Sequence, residues 1–257
     1  ESFELEMIET IGKSALLNAD ETGISINEQT CWLHVLANSK STLFFAHEKR
    51  GKEAMDELGV IKNFKGVLCH DHWKPYLGYD CQHALCNAHH LRELQWVIDF
   101  TSQKWAKSMK KFLIKLNEFV DKHGGLLSEA DQQKQIRRYR EILRNAREEC
   151  PIMARTKGSC QRGKTKQTKE RNLLDRLIDF EDEVLLFMKD RPVPFTNNQA
   201  ERDLRMVKVQ QKISGQFKSM NGAKYFCRIR SYLMTMKKRG YSPFDKLNVL
   251  FYPEHAE

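Results

Sequence analysis

Three carboxylates, far apart in the sequence, are the residues of this chain best suited to carry chemistry. Asp20 follows the short apolar run 15–19, and Asp71 follows the run 66–69. Glu201 opens a predicted helix. Hard cations such as Mg²⁺ take oxygen ligands, and two such ions about 3.5–4 Å apart need carboxylates that converge from separate elements. The set therefore predicts a two-metal site for phosphoryl transfer, with Asp20 as the ligand shared by both ions.

Each carboxylate also has a simpler interpretation. A helix is predicted to begin at Gln199 with Asn198 as its N-cap. Glu201 stands three residues after Asn198, so the two could form a capping box. Asp20 could occupy a turn, and Asp71 could be a solvated loop residue. The order of strand, strand and helix favours the metal site, because all three carboxylates then lie where such a site needs them.

Short strands must position the two aspartates. The first region, residues 1–86, has runs rich in apolar and β-branched residues, as strands do. The predicted strands are 16–20, 24–26, 32–37, 42–46, 67–69 and 83–86. A hairpin turn is predicted at 27–29 and a helix at 52–58. A crossover from the hairpin strands brings the strand before Asp71 beside the first strand, which places Asp71 next to Asp20.

Two further regions follow. Residues 87–191 are predicted to be mostly helical, because their apolar residues recur at helical spacing. Within them, residues 153–170 lack an apolar period and are basic, which predicts an exposed loop. Residues 192–257 begin with a proline-containing linker and continue into the helix that carries Glu201.

The distribution of charge predicts a polyanionic partner. The net charge is +9, yet residues 130–176 hold 14 Lys and Arg against 6 Asp and Glu, and residues 201–240 hold 11 against 2. One such stretch would fit a solvated basic helix equally well, but two of them, one adjoining Glu201, favour nucleic acid. The candidates for contact with the DNA backbone are Arg202, Arg205, Lys208, Lys157, Arg162, Lys164 and Lys166.

Composition argues against membrane and secreted classes. No apolar run approaches the roughly 18 residues of a membrane span. The first residues are acidic and unlike a signal peptide, and seven cysteines do not suit a fully paired disulfide framework. We therefore expect a cytoplasmic protein. The first residue is Glu1, which is compatible with a fragment that lacks an amino-terminal DNA-binding region.

Several ordered motifs resemble those of a known enzyme family. They are residues 17–23 (LNADETG), 70–76 (HDHWKPY), 85–94 (LCNAHHLREL), 196–205 (TNNQAERDLR), 209–215 (VQQKISG) and 228–232 (RIRSY). From about residue 8 to 250 the chain resembles the catalytic portion of a bacterial DDE transposase of the insertion-sequence-66 family. Two positions depart from the commoner family pattern: Thr196, where aspartate is frequent, and Asn18, where histidine is frequent.

The resemblance implies both a fold and an activity. The implied fold is an α/β, RNase H-like mixed-sheet core interrupted by a mostly helical insertion domain, with Asp20, Asp71 and Glu201 as the catalytic triad. The implied activity is cleavage of double-stranded DNA at transposon ends and strand transfer into target DNA. Two Mg²⁺ ions are expected, and Mn²⁺ is expected to substitute for them. The family also implies a homodimer or higher multimer associated with the bacterial nucleoid.

Two other functions remain open at this stage. An RNase H-like nuclease would use the same metals without strand transfer, and a non-catalytic derivative would only bind DNA. The pair Cys86 and His89 resembles a Cys-x-x-His motif that follows the second aspartate in several DDE transposases. Zinc is not expected there, because zinc motifs normally space their ligand pairs more widely. We interpret the pair as a packed contact that supports Asp71.

Overall fold

A five-stranded mixed sheet carries the two aspartates. The computed structural model describes residues 2–153, 165–190 and 193–251. The strands are β1 (Leu16–Ile26), β2 (Gln29–Ala37), β3 (Thr42–His47), β4 (Val67–His70) and β5 (Gln82–Leu85), in the order β3-β2-β1-β4-β5. β1 is antiparallel to β2 and parallel to β4. This sheet and its many helices form an RNase H-like α/β fold, as expected.

The first strand is a single long element. Residues 16–20 and 24–26 were predicted as two strands, but β1 runs unbroken through them and pairs with β2 along its length from Asn18. Pairing with a neighbouring strand outweighs the weak strand propensity of the polar residues between the two runs. Asp20 therefore lies inside a strand and not at its end.

The turn between β1 and β2 confirms the predicted hairpin. Ile26 pairs with Gln29, which leaves Asn27 and Glu28 as a two-residue loop. Both loop residues have positive φ, 46° and 66°. Positive φ at both central positions is what the tight hairpin turns compatible with strand twist require, and asparagine tolerates it well.

A glycine allows β4 to pair beside β1. The Val67 N–H donates to the Ala15 carbonyl oxygen at 2.8 Å, and the pairing begins there. A Cβ on Gly66 would lie 2.5 Å from that same carbonyl oxygen, closer than real Cβ atoms come. Only glycine fits at this approach, so the predicted position of β4 next to β1 is confirmed and has a local cause.

The helices complete the described chain. They are α1 (Ser2–Gly12), α2 (Lys52–Leu58), α3 (Asn87–Phe100), α4 (Trp105–Lys122), α5 (Glu129–Glu149), α6 (Lys169–Asp179), α7 (Glu181–Leu185), α8 (Asn198–Ser214), α9 (Met220–Lys238) and α10 (Pro243–Phe251). The chain divides into two compact units, residues 1–83 with 197–257 and residues 84–196. Among the described helices, none is both long and apolar enough to cross a bilayer.

The first unit has a layer of helices on each face of the sheet. Alternate residues of β1 and β2, including Ile24, Leu33 and Val35, pack in one cluster with residues of α8 and α9. The opposite face, with Leu17 and Leu36, packs in a second cluster with α1 and α2. This alternation follows from the two-residue period of a strand, and it decides which face each polar residue meets.

The second unit is helical, with two departures from the prediction. Residues 173–187 were predicted as one helix, but α6 ends at Asp179 and α7 begins at Glu181, where three consecutive acidic residues favour a new helix N-terminus. The predicted basic loop 153–170 overlaps the start of α6, because Thr168 caps that helix by accepting from the Arg171 N–H. Residues 154–164 of the predicted loop lie outside the described residues.

Candidate active site

Asp20 lies in β1, and Asp71 directly follows the end of the neighbouring strand β4. The ladder between β1 and β4 pairs Leu16 with Val67 and Asn18 with Cys69. The same register, continued by two residues, sets Asp20 opposite Asp71. Neighbouring strands lie about 4.7–4.9 Å apart, and residues two apart point to the same face. Asp20 is therefore directed to the face that α8 covers, and Asp71 follows β4 beside it.

An asparagine amide fixes the start of α8 on β1. Asn197 Nδ2 donates to the Ala19 carbonyl oxygen at 2.8 Å, and Asn18 Nδ2 donates to Asn197 Oδ1 at 2.8 Å. Both asparagines are buried. These two bonds place the first turn of α8, with Glu201, beside the segment of β1 that carries Asp20.

The capping-box alternative for Glu201 does not fit the helix. Asn198 was predicted as the N-cap, but it is the first helical residue and Asn197 is the cap, with its side chain bonded to β1 and not to the helix. The predicted N-cap was therefore wrong by one residue. The side-chain amide of Asn197 bonds to Asn18 and Ala19 of β1, so it does not cap the helix. A capping box needs its glutamate at the third helical position, and Glu201 stands at the fourth.

The three carboxylates interact electrostatically. Burial raises the pKa of the Asp20 carboxyl from 3.8 to about 7, and the charge of Glu21 adds to the rise. The Glu21 backbone N–H donates to Asp20 Oδ1 at 2.9 Å and partly opposes it. The charges of Asp71 and Glu201 raise the pKa further. Asp20 therefore sits in a buried, electronegative site formed by all three predicted residues.

The donor set suits a divalent cation. Three carboxylates supply only oxygen ligands, which is what Mg²⁺ and Mn²⁺ prefer. No lysine or arginine within the described residues forms an ion pair with Asp20, and burial together with neighbouring carboxylates raises its pKa. Asp20, Asp71 and Glu201 are the residues that would hold such ions.

A second carboxylate beside Asp20 is neutralised instead. Glu21 points to the opposite face of β1, where Arg50 Nε and Nη2 donate to Glu21 Oε1 at 3.0 and 2.7 Å. The Tyr76 hydroxyl donates to Glu21 Oε2 at 2.7 Å. Burial nevertheless raises the pKa of the Glu21 carboxyl, while Tyr76 and Arg50 lower it. Sequence reasoning missed this arrangement, although strand alternation already separates Asp20 and Glu21 by face.

Arg50 also connects β1 with the segment that follows Asp71. Its guanidinium lies over the rings of Trp32 and Trp73, 4.7 and 4.4 Å from their centroids. The Trp73 N–H donates to Asp71 Oδ1 at 2.9 Å. Backbone pairing of β1 with β4 ends at Asn18, so beyond that point this cluster helps to hold the two aspartate-bearing segments together.

Comparison with known proteins decides the family. The model of the family described as "Transposase IS66 family" matches residues 1–225 of the 257-residue chain. The chain belongs to the IS66 transposase family. It is accordingly a DDE transposase, a phosphoryl-transferring enzyme of DNA transposition, and such enzymes bind DNA and generally use divalent metal ions. A search of curated proteins finds no significant match.

The basic residues predicted around the transposase glutamate lie on exposed parts of α8. Arg205 and Lys208 follow Glu201 by four and seven residues, so they share its side of the helix. Lys208 Nζ donates to the Gly23 carbonyl oxygen at 3.0 Å, which sets it farther along β1 than Asp20. Arg202 is also exposed.

The remaining predicted residues belong to the second unit of the transposase. Lys166 is exposed just before α6, whereas Lys157, Arg162 and Lys164 lie outside the described residues. Cys86 precedes α3 and accepts, at its carbonyl oxygen, the backbone N–H of His89 at 3.2 Å. Its sulfur and a His89 ring nitrogen lie within 4.8 Å of each other. Support of Asp71 by this pair stays a prediction.

Proposed function

We propose that Asp20, Asp71 and Glu201 form the catalytic centre with which this transposase cuts DNA at transposon ends and joins the cut end to target DNA. The observation that carries the proposal is the position of Asp71 at the end of β4, beside the strand that holds Asp20, together with the charges of Asp71 and Glu201 acting on Asp20. Three converging carboxylates from two strands and a helix match what phosphoryl transfer with two divalent ions requires.

The reaction consists of two successive phosphoryl-transfer steps. In the first, a water oxygen attacks the scissile phosphorus, the bond to the 3′ oxygen breaks, and a free 3′-hydroxyl and a 5′-phosphate result. In the second, that 3′-hydroxyl attacks a phosphorus of target DNA and displaces the target's own 3′ oxygen, which takes up a proton. Two Mg²⁺ ions, when bound, supply the charge that stabilises the transition state and acidify the attacking hydroxyl.

The side chains of this chain have separate tasks. The charges of Asp71 and Glu201 both act on Asp20, so Asp20 is the residue that would be shared by the two ions. Arg205 and Lys208, on the Glu201 side of α8, hold DNA phosphates next to the centre, and Arg202 contacts the backbone beside them. Lys166 and the neighbouring basic residues Lys157, Arg162 and Lys164 contact DNA without reading its sequence.

Replacement of Glu201 tests the assignment. Glu201→Gln preserves size and removes the charge, so we expect metal-dependent cleavage of a transposon-end duplex to be lost while DNA affinity is retained. Glu141→Gln, at an exposed position of α5, is the matched control and should cleave like the unchanged protein. Cleavage by Glu201→Gln at the unchanged rate would contradict the proposal.

A pre-cleaved transposon end separates strand transfer from plain hydrolysis. We expect the protein to join such an end to a target plasmid with Mg²⁺ or Mn²⁺, and to do so as a dimer or larger assembly on paired ends. Hydrolysis without any joined product, under conditions in which cleavage is efficient, would favour a nuclease.

A further inference from the structure

Helix α4 in the second unit has two contrasting sides. One side is buried and apolar, with residues such as Trp105, Met109 and Leu113. The other carries lysines at 107, 110, 111 and 115, and three of these, Lys107, Lys111 and Lys115, are exposed. Those three follow one another at intervals of four residues, so they form a single row along the helix. We call this the α4 lysine row.

The α4 lysine row has no internal charge compensation. Within the described part of the chain, none of its three ammonium groups forms an ion pair with a carboxylate. Elsewhere in the same unit cations are paired, as in Arg140 with Glu181 at 2.7 Å. Like charges four residues apart on a helix destabilise it by roughly 0.2–0.5 kcal/mol per pair. The three lysines of the row therefore repel one another, and this repulsion does not stabilise the folded chain.

The row borders a groove between α3 and α4. The groove has a volume of about 460 Å³, and it is lined from α3 by Gln95 and Ile98 and from α4 by the lysines, Ile114 and Glu118. Lys110 donates to the amide oxygen of Gln95 at the side of the groove. Glu118 is the one acidic residue among its lining residues. The groove is therefore a shallow channel with an apolar floor and a cationic margin.

We propose that the α4 lysine row and its groove bind the phosphate backbone of double-stranded DNA as a contact surface separate from α8. A rise of ~1.5 Å per residue sets consecutive lysines of the row about 6 Å apart, so each can reach a different phosphate of one strand. The apolar floor, Ile98 and Ile114, suits the C–H faces of the sugars between those phosphates. The one amide of the lining, Gln95, is already hydrogen-bonded to Lys110 and Asp99, so the surface binds DNA irrespective of sequence.

DNA fits this surface better than an acidic protein does. Protein interfaces of similar size are anchored by buried aromatic side chains, and the lining of this groove contains none. An evenly spaced row of point charges matches an evenly spaced polyanion. Family membership supplies DNA as the substrate, so this inference is independent of whether Asp20, Asp71 and Glu201 are catalytic.

The test is the salt dependence of DNA binding. Affinity of the full chain for two unrelated random-sequence duplexes is measured between about 50 and 200 mM salt, the range in which phosphate contacts dominate. Each lost phosphate contact lowers the slope of log K against log salt by about 0.9. We expect the triple variant Lys107→Ala, Lys111→Ala and Lys115→Ala to lose between two and three of these increments on both duplexes.

Two further variants make the result specific. Replacing all three lysines by arginine keeps the charge and should preserve the slope. A control triple, Lys13→Ala, Lys40→Ala and Lys62→Ala, removes the same charge from exposed positions of the first unit and should leave the slope nearly unchanged. Alanine favours the helix, so thermal unfolding of the α4 triple should match or exceed the unchanged protein.

Three outcomes would overturn the inference. They are an unchanged slope in the α4 triple, an equal loss in the control triple, and a loss on only one of the two duplexes. The first would leave an acidic protein segment as the occupant of the groove. Glu201→Gln should keep the full slope whatever the α4 result, so failure here and failure of the catalytic proposal are distinguishable.

Discussion

Asp20 and Glu21 are consecutive residues, and the pleat of β1 directs their side chains to opposite faces of the sheet. On the Glu21 face, Arg50 and Tyr76 supply three donors to one buried carboxylate. On the Asp20 face, burial raises the pKa of Asp20 to about 7, and the charges of Glu21, Asp71 and Glu201 add to the rise. Burial alone therefore does not distinguish the proposed metal ligand from a structural carboxylate. What distinguishes the two is whether the protein itself neutralises the charge.

The largest expected effect is on the Asp20 face. Asp20→Asn removes the carboxylate that we propose as the shared metal ligand, and loss of several kcal/mol of transition-state stabilisation corresponds to about a 10³-fold or greater fall in cleavage rate. The measurement is single-turnover cleavage of a transposon-end duplex with Mg²⁺. Asp80→Asn, at an exposed position, is the control. A variant Asp20→Asn that cuts within tenfold of the unchanged protein would contradict the comparison.

The same residue should make stability depend on pH in the absence of divalent ions. Because the pKa of Asp20 is 3.8 when unperturbed and about 7 in the folded chain, the folded state binds the proton more tightly. Its contribution is full below pH ~4, declines as pH rises to about 7, and is constant above. The total is on the order of a few kcal/mol.

The difference between Asp20→Asn and the unchanged protein isolates this contribution. Urea unfolding at several pH values should show the variant gaining relative stability as pH rises from about 4 to 7. Saturating Mg²⁺ or Mn²⁺ should shrink that gain, because the ions bind the ionised carboxylates of the unchanged protein. A difference that does not change with pH would mean that Asp20 is not held in an electronegative site.

On the opposite face, Arg50→Ala should lower the free energy of unfolding by about 1–3 kcal/mol, because it leaves the buried Glu21 carboxylate without its cation. The double variant Arg50→Ala with Glu21→Gln should cost less than the sum of the two single changes. Thermal and urea unfolding measure both. Additive losses would show that the pair is not coupled. Cleavage should fall less than in Asp20→Asn, since Arg50 contacts Trp73, whose N–H donates to Asp71.

The smallest effect is expected at Lys208, an exposed residue of α8 that lies seven residues after Glu201. Lys208→Ala should weaken DNA binding by less than about tenfold and lower the salt slope by about 1, with stability changed by less than about 0.5 kcal/mol. Anisotropy titrations at several salt concentrations measure this. A slope equal to that of the unchanged protein would place Lys208 outside the DNA contact and leave it as a bond to Gly23.

Much of the sheet followed from local patterns. Apolar runs indicated β2, β3 and β4, and the crossover rule placed β4 beside β1. The unbroken length of β1 was missed, because the polar residues from Asp20 to Gly23 are strand only by virtue of pairing with β2. The single long helix predicted near residue 180 was also wrong, since apolar spacing continued across a break at Phe180.

The details around Asp20 depended on contacts between distant residues. Asn197 is a residue type that commonly caps helices, but Asn18 and Ala19 bind its amide group from 179 and 178 positions away. Arg50 has no local signal at all, because its role arises from two tryptophans and a glutamate on other elements. Sequence could nominate the carboxylates, whereas only the fold decides which of them the protein neutralises.

The most direct test of this account is anomalous diffraction from crystals of the protein soaked in Mn²⁺. We expect at least one anomalous peak between Asp20, Asp71 and Glu201, about 2.0–2.6 Å from their carboxylate oxygens, and none at Glu21. If the three carboxylates converge but no peak appears at a Mn²⁺ concentration that supports cleavage, or if the only peak lies elsewhere, the central claim is wrong.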